Sequence, residues 1–284
     1  MADTNITVGV AGAFIPEIWS NEIKRAVENK LVMAKLVKRF DADVKQKGDT
    51  IHVPNLSNIT ATYKQANTEA PQSATTESTT DISIDKHGVA RVDIEDIASV
   101  QAQANLLKEY TQKLGYAIGK LVDDDLMALY SGLSQTVGAT TNNVGLAKTF
   151  ITGAIQKLEA AGAPLDDLHW VVESYGHQDL FEMDDFVRYD AIGSGGSENP
   201  LVGGKIGTIY GVRVHFTEQV PAVTSLVHSM MFHREAFVLA MQRSIRVQTD
   251  YEAKRLATVL IADVLYGVAE YRDTFAVDIR YGQT

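Results

Sequence analysis

The sequence predicts an α+β chain in which one very long helix separates a strand-rich beginning from a mixed lobe and a strand-rich end. Three observations lead there. From Asp93 to Gly132 apolar residues recur at three- and four-residue intervals, which marks one buried stripe on a helix. Gln65 to Thr80 is almost free of large apolar residues, so it cannot order itself by burial; it joins two strand-like arms. From Ser229 onward the pattern is mostly extended.

Composition removes several function classes. The 284 residues are 45% hydrophobic and 22% charged, with no cysteine. That excludes disulfides, thiolate metal sites and cysteine nucleophiles, and fits folding in a reducing cytoplasm. The first thirty residues lack a basic start followed by a continuous apolar core, so no signal peptide is predicted. The richest apolar run, Leu256 to Val268, is interrupted by Asp263, so no membrane span is predicted. The formal charge of -10 disfavours a broad nucleic-acid-binding surface, which needs clustered Lys and Arg.

In chain order, Pro16 to Phe40 reads as an amphipathic helix with Ile18, Trp19, Ile23, Leu31 and Leu36 on one face, and with Lys30, Lys35, Lys38 and Arg39 near its end, where cations complement the dipole. It suits an arm that docks on a neighbour. Gly48-Asp49 opens a strand from Thr50 to Val53 that Pro54 ends or pushes to an edge. Strand residues resume at Ile59 to Lys64, and Asp81 to Val92 alternates around a Lys86-His87-Gly88 turn. The product is a long protruding hairpin, marginal on its own in water, and so dependent on contacts outside its own subunit.

The helix that follows spans about forty residues, on the order of 60 Å, with Asp93 as N-cap, Asp96 in a capping-box position and Gly132 as its stop. Gln135 to Gly145 is a loop, and Lys148 to Ala161 a helix closed by Gly162 and Pro164. Leu168 to Val172 is a strand, Tyr175 to Met183 a short helix, and Ile192 to Gly207 a glycine-rich loop. Tyr210 to Phe216, Met231 to Met241, Ser244 to Thr249, Leu256 to Glu270 and Phe275 to Tyr281 are strands. The Leu256 run is apolar on both faces, and its Val, Thr and Ile content favours strand over helix.

Few residues suggest chemistry. His169, Glu173 and His177 are metal-ligand types within nine positions, but the H-E-x-x-H spacing is absent. Their use as a metal-dependent hydrolase is the alternative of a different class. The glycines from Gly193 to Gly204 lack a Gly-Lys-Ser/Thr ending, so they form a flexible loop rather than a phosphate cradle. Asp123, Asp124 and Asp125 point to three sides of the helix and form a solvated acidic face, or an ion-pair contact to a neighbouring subunit with one carboxylate turned inward. Gly115 and Gly119 share a side at i, i+4 spacing, each at a cost of about 1 kcal/mol, where another backbone approaches or the rod bends.

Specific stretches then resemble a known family. "VDIEDIASVQAQANLLKEYTQKLGYAIGKLVDDDLMALY" is similar to the spine helix of the major capsid proteins of tailed bacteriophages, which share the Hong Kong 97 type of shell fold. "VVESYGHQDLFEMDDF" resembles the family's central-lobe strand and helix, and "GKIGTIYGVRVHFTEQVP" its glycine-valine strand. "HREAFVLAMQ" and "VLYGVAEYRDTFAVDI" resemble its returning strands, and Gly-Asp-Thr-Ile-x-Val-Pro from Gly48 to Pro54 its hairpin opening.

The resemblance implies the tailed-phage capsid fold: an N-terminal arm (1–47), an extended β-hairpin loop (48–92), a peripheral domain with the spine (93–145), a central α+β axial domain (146–225) and returning strands of both domains (226–284). It implies a structural, non-enzymatic protein without cofactor. Hexamers and pentamers would self-assemble into an icosahedral shell around double-stranded DNA, bound without sequence specificity, and mature by expansion. Such a shell belongs to the virion and assembles in the host cytoplasm.

Only fifteen residues precede the arm helix, where some members carry a long cleavable scaffolding region, so a separate scaffolding protein is implied, with a portal and a decoration protein as further partners. Inter-subunit contacts would involve Trp19, Lys38, Arg39, Lys64, Glu69 and Glu77, and a spine hinge Gly115 and Gly119. Some members cross-link lysine to asparagine. Lys64 is the suggestive donor here, no motif supports the chemistry, and cohesion is expected to be non-covalent. An encapsulin-like nanocompartment is the alternative with the same fold.

Overall fold

Two sheets of different character share one hydrophobic core, and a two-stranded ribbon hangs from the smaller. The computed structural model describes residues 31–41, 48–56, 59, 61–69, 72, 77–96, 106–141, 143–183 and 207–282. The smaller sheet has the order β1-β11-β12-β4, formed by β1 (Lys38–Arg39), β11 (Phe237–Glu252), β12 (Ala257–Glu270) and β4 (Lys86–Glu95). β1 runs parallel to β11 and the other pairs are antiparallel. Across one face lies the spine α2 (Leu106–Ala128), which packs on β4, β11 and β12. Its Leu114, Ile118, Val122 and Leu126 are buried at a strict four-residue spacing, against Leu260, Ala262, Val264 and Tyr266 of β12 in the same core.

The larger sheet has seven strands: β5 (Thr136–Gly138), β13 (Ala276–Gly282), β10 (Leu226–His233), β6 (Leu168–Val172), β8 (Val212–Phe216) and β7 (Thr208–Ile209) in that order, with β9 (Ala222–Val223) on β10. Helices α3 (Lys148–Ala160) and α4 (Ser174–Glu182) complete this lobe. Every residue of β6 is buried, as expected of a central strand covered on both faces. Trp170 in its middle is fully buried and donates its indole N–H to Ser229 Oγ at 2.6 Å, which in turn donates to Val171 O.

The ribbon consists of β2 (Thr50–Leu56) and β3 (Glu77–Ser83), antiparallel, with Pro54 opposite Thr79. A two-stranded ribbon has only edges, which is where proline is tolerated.

Several expectations hold and several need correction. α3, β6, α4, β12 and β13 form where periodicity and helix stops place them. The spine, however, does not begin at Asp93. Residues 93–95 continue β4, where Gly88, Ala90, Val92 and Ile94 face inward, and pairing with β12 extends to Ala257 opposite Glu95. Asp93 is therefore no N-cap, and its carboxylate binds Arg91 and Arg255. The described helix has 23 residues, about 35 Å at 1.5 Å each, and tightens into a 3-10 turn from Leu129 to Gly132. Leu107 and Leu121, which the apolar spacing from Asp93 to Gly132 would place in the buried stripe, are about two-fifths exposed.

Lys86-His87-Gly88 is strand rather than turn, and the break between β3 and β4 falls at Ile84-Asp85, where the chain passes from the ribbon to the smaller sheet. Ile59 and residues 61–64 are not strand. Among the described residues of the expected arm helix, only α1 (Met33–Leu36) is helical before Lys38–Arg39 joins β11; residues 16–30, Trp19 included, lie outside the described residues. Met231 to Met241 is two strands, split at Arg234-Glu235, and the loop after the spine holds β5.

Candidate functional site: the assembly surfaces

The first surface is the root of the arm. Val32, Met33 and Ala34 donate their backbone N–H groups to the Asp123 carboxylate at 2.6, 3.2 and 3.0 Å, and Asp123 is fully buried. The N-cap position of α1 is Val32, which has no side-chain acceptor, so the spine supplies the cap that the local sequence lacks. One turn earlier, Gly119 leaves room for Leu31: a Cβ there would stand 2.9 Å from Leu31 Cδ1. At Gly115 nothing lies within 4 Å of such a Cβ. The two spine glycines therefore differ, one receiving the arm and one bordering open space.

Two of the arm's cations, Lys38 and Arg39, are engaged within the chain. Lys38 Nζ sits 2.9 Å from Glu235 Oε1 and 4.9 Å from the Tyr271 ring centroid, and that lysine hydrogen bond holds the Glu235 carboxyl below its ordinary range. Arg39 pairs with Asp41 at 2.8 Å.

The second surface is the ribbon. At its root Ile82 and Ile84 are buried with Val238 and Ala240 in a small cluster of their own. Gly267 of β12 makes this seat possible, because any Cβ there would run into the Ser83 carbonyl oxygen. Further out, burial stops. His52 and Asp81 pair across the strands at 2.6 Å while more than half exposed. Ile59 is 75% exposed and Tyr63 103%. Lys64 and Glu69 are exposed in the same tip, and Glu77 begins β3 opposite Leu56.

The third surface is the face of the smaller sheet opposite the spine. Two irregularities in β11, between Met241 and Arg243 and between Arg243 and Arg246, add residues to that strand and re-aim its side chains. Both arginines reach Asp263, at 3.4 and 2.6 Å, and the Arg246 hydrogen bond keeps that carboxyl below the usual range. Nearby, Arg91 bridges Asp93 and Glu252 while Arg255 contacts the same two carboxylates. On the spine side, Asp125 accepts from Tyr266 Oη at 2.6 Å and Lys86 Nζ at 2.9 Å. Of the three consecutive aspartates, then, 123 and 125 bind inward partners and 124 alone is exposed.

No catalytic constellation forms from the histidine candidates. His169 Nδ1 meets His215 Nε2 at 3.2 Å, with Asp167 3.4 Å from its other nitrogen, and burial depresses its pKa to about 4 despite that carboxylate. His177 instead packs at a tilt against Phe181 and Phe216, with ring centroids 4.5 and 4.0 Å away, and Glu173 occupies the N-cap position of α4. Among the described residues no group of three or more His, Cys, Asp or Glu could hold a metal ion, so the hydrolase alternative has no site. Nor is any described helix long and apolar enough to cross a membrane.

The residues missed by sequence reasoning are Asp123 as an anchor, Gly267 as a seat and Asp263 as a hub. Asp123 stood four residues before Met127 at a stripe position, and Asp263 interrupted an otherwise apolar run; both were signals of an inward carboxylate.

A self-sufficient body, an arm fastened to its spine and a ribbon with an uncovered tip define a structural rather than an enzymatic protein, with the Hong Kong 97 type of α+β shell fold. Solved structures agree on that fold. A chain of Mycobacterium phage Che8 superposes with a TM-score of 0.81 at 22% identity, over 94% of this chain and 97% of that one. The capsid structure of cyanophage P-SCSP1u gives 0.77 at 12% identity, over 97% and 95%, and the mature capsid of bacteriophage PhiM1 gives 0.75 at 14%, over 94% and 92%. Among curated proteins, no sequence matches. The family model described as phage capsid protein matches residues 33–282, and the chain belongs to that family.

Proposed function

We propose that many copies of this chain tile, as hexamers and pentamers, an icosahedral phage head that encloses double-stranded DNA without reading its sequence. The observation that carries this reading is the ribbon: its root is packed on the body, while at its far end Ile59 is three-quarters exposed and Tyr63 fully exposed. A ribbon of two strands is marginal in water, so a neighbouring subunit is the natural cover. Assembled capsids among the structural neighbours support the same reading.

In this reading residues 1–47 are the arm, 48–92 the extended loop, 93–145 the spine part of a peripheral domain, 146–225 the axial domain and 226–284 the returning strands. Trp19, Lys64, Glu69 and Glu77 meet neighbouring subunits. Lys38 and Arg39 contribute more by fixing the arm's root than by direct contact, because both already have partners in the chain. Gly115, with open space beside it, is the place where the spine bends as the shell expands. A separate scaffolding protein, a portal and a decoration protein complete the head, assembled in the host cytoplasm.

Expression of the chain with its neighbouring genes tests the reading. Megadalton particles containing double-stranded DNA are expected; particles holding a protein cargo instead would point to a nanocompartment, and a stable monomer at high concentration would refute the shell.

A further inference from the structure

The strongest unexplained feature is a charged group where a stripe residue belongs. Asp123 is fully buried beside Val122 and Met127, yet its three polar partners are all backbone amides of a segment about ninety residues earlier. A buried carboxylate costs free energy unless its lone pairs are satisfied, and here the amides of residues 32–34 satisfy both oxygens. We propose that Asp123 is the positioning residue that fixes where, and in which direction, the N-terminal arm leaves the body, and so sets the register in which arms reach neighbouring subunits. This rests on the shell reading above.

Three features make the contact an anchor rather than an incidental bond. Both carboxylate oxygens are used, Oδ2 by Val32 and Met33 and Oδ1 by Ala34, so the segment cannot rotate about a single hydrogen bond. Leu31 sits over Gly119, one turn away on the same helix, which adds a second point of attachment. Immediately downstream, Met33, Leu36 and Val37 are buried in the main core and Lys38–Arg39 pairs with β11. The chain is thus held on both sides of α1, while Asp124, the next residue, holds none of it.

The test compares Asp123→Asn with Asp124→Asn and the wild-type chain. Asparagine keeps the shape but turns an N–H donor toward one of the three amide donors. At matched folded concentration, Asp123→Asn is expected to form particles of mixed diameter or none, and trypsin is expected to cut after Lys35, inside α1, at least tenfold faster than in wild type. Asp124→Asn should match wild type in both. Particles of wild-type diameter and yield with an unchanged cleavage rate would overturn the proposal, whereas absence of particles from the wild-type chain would overturn the shell reading instead. Should Asp123→Asn not fold, hydrogen exchange in the wild-type chain decides. The amides of residues 32–34 should be protected as strongly as that of Val122, and exchange a hundredfold faster would refute an anchor.

Discussion

The seven-stranded lobe and the two-stranded ribbon are both β-structure, but they are stabilised by opposite means. In the lobe the central strands find their cover within the chain: β6 is buried at all five positions, and β10 and β13 bury most of theirs. In the ribbon only the root is covered, and exposure rises to completeness at the tip. In the proposed shell, the difference separates what folding of one chain can stabilise from what a neighbouring subunit would cover. The larger sheet should behave as part of the global folding unit, while the ribbon should open locally at low free energy.

Trp170→Ala tests the lobe side of that contrast with the largest effect. It removes a fully buried indole and its bond to Ser229, and is expected to cost about 3–5 kcal/mol, visible as a lowered urea midpoint for the whole chain. If the lobe instead lost less than the ribbon variants below, the division between self-covered and partner-covered sheet would be wrong.

Acid should also act on the lobe first. Burial depresses the pKa of His169 to about 4, so the native lobe holds it neutral while the unfolded chain protonates near 6.5. The folded state binds fewer protons in that window, so stability is fully present above about pH 6.5, falls as pH drops toward 4 and levels off below it. The loss is on the order of 3 kcal/mol. His169→Gln should flatten this part of the pH profile relative to wild type, and an unchanged slope would remove the histidine from the account.

On the ribbon side, Gly267→Ala places a methyl group against the Ser83 carbonyl. Because the obstacle is backbone, the strand must shift, at a cost of about 2 kcal/mol. The expected signature is local: faster hydrogen exchange across 50–53 and 77–83, with the lobe amides unchanged. A uniform loss of protection would mean that the ribbon's root and the lobe unfold together.

How far the sequence was legible follows the same divide. α3, β6 and β13 lie where local period and stop signals put them, because each buries a face against neighbours that its own pattern anticipates. β12 was ambiguous by period and resolves as strand because it is the centre of a sheet, with the spine on one face and the arginines of the other face above Asp263. Asp93 to Glu95 misled because Ile94, Ile97 and Val100 fit a helical spacing while Val92 and Ile94 also fit alternation. Pairing with Ala257 to Val259, more than 160 residues later in the chain, decided for strand. Asp123 misled for the same reason: three consecutive aspartates look solvated until a distant segment arrives to bond one of them.

The smallest effect on the free subunit is expected where the consequence for assembly is largest. Tyr63 is fully exposed and residues 61–69 make no buried contact, so Tyr63→Ser should change the stability of the free chain by less than about 0.5 kcal/mol. If a neighbouring subunit covers the tip, the same substitution removes a large aromatic from that interface, where such side chains concentrate binding energy. The yield of shells should then fall while the melting temperature of the free subunit stays put. A variant that assembles as well as wild type would mean that the tip is not a contact, and the ribbon's exposure would lose its meaning as a sign of a partner.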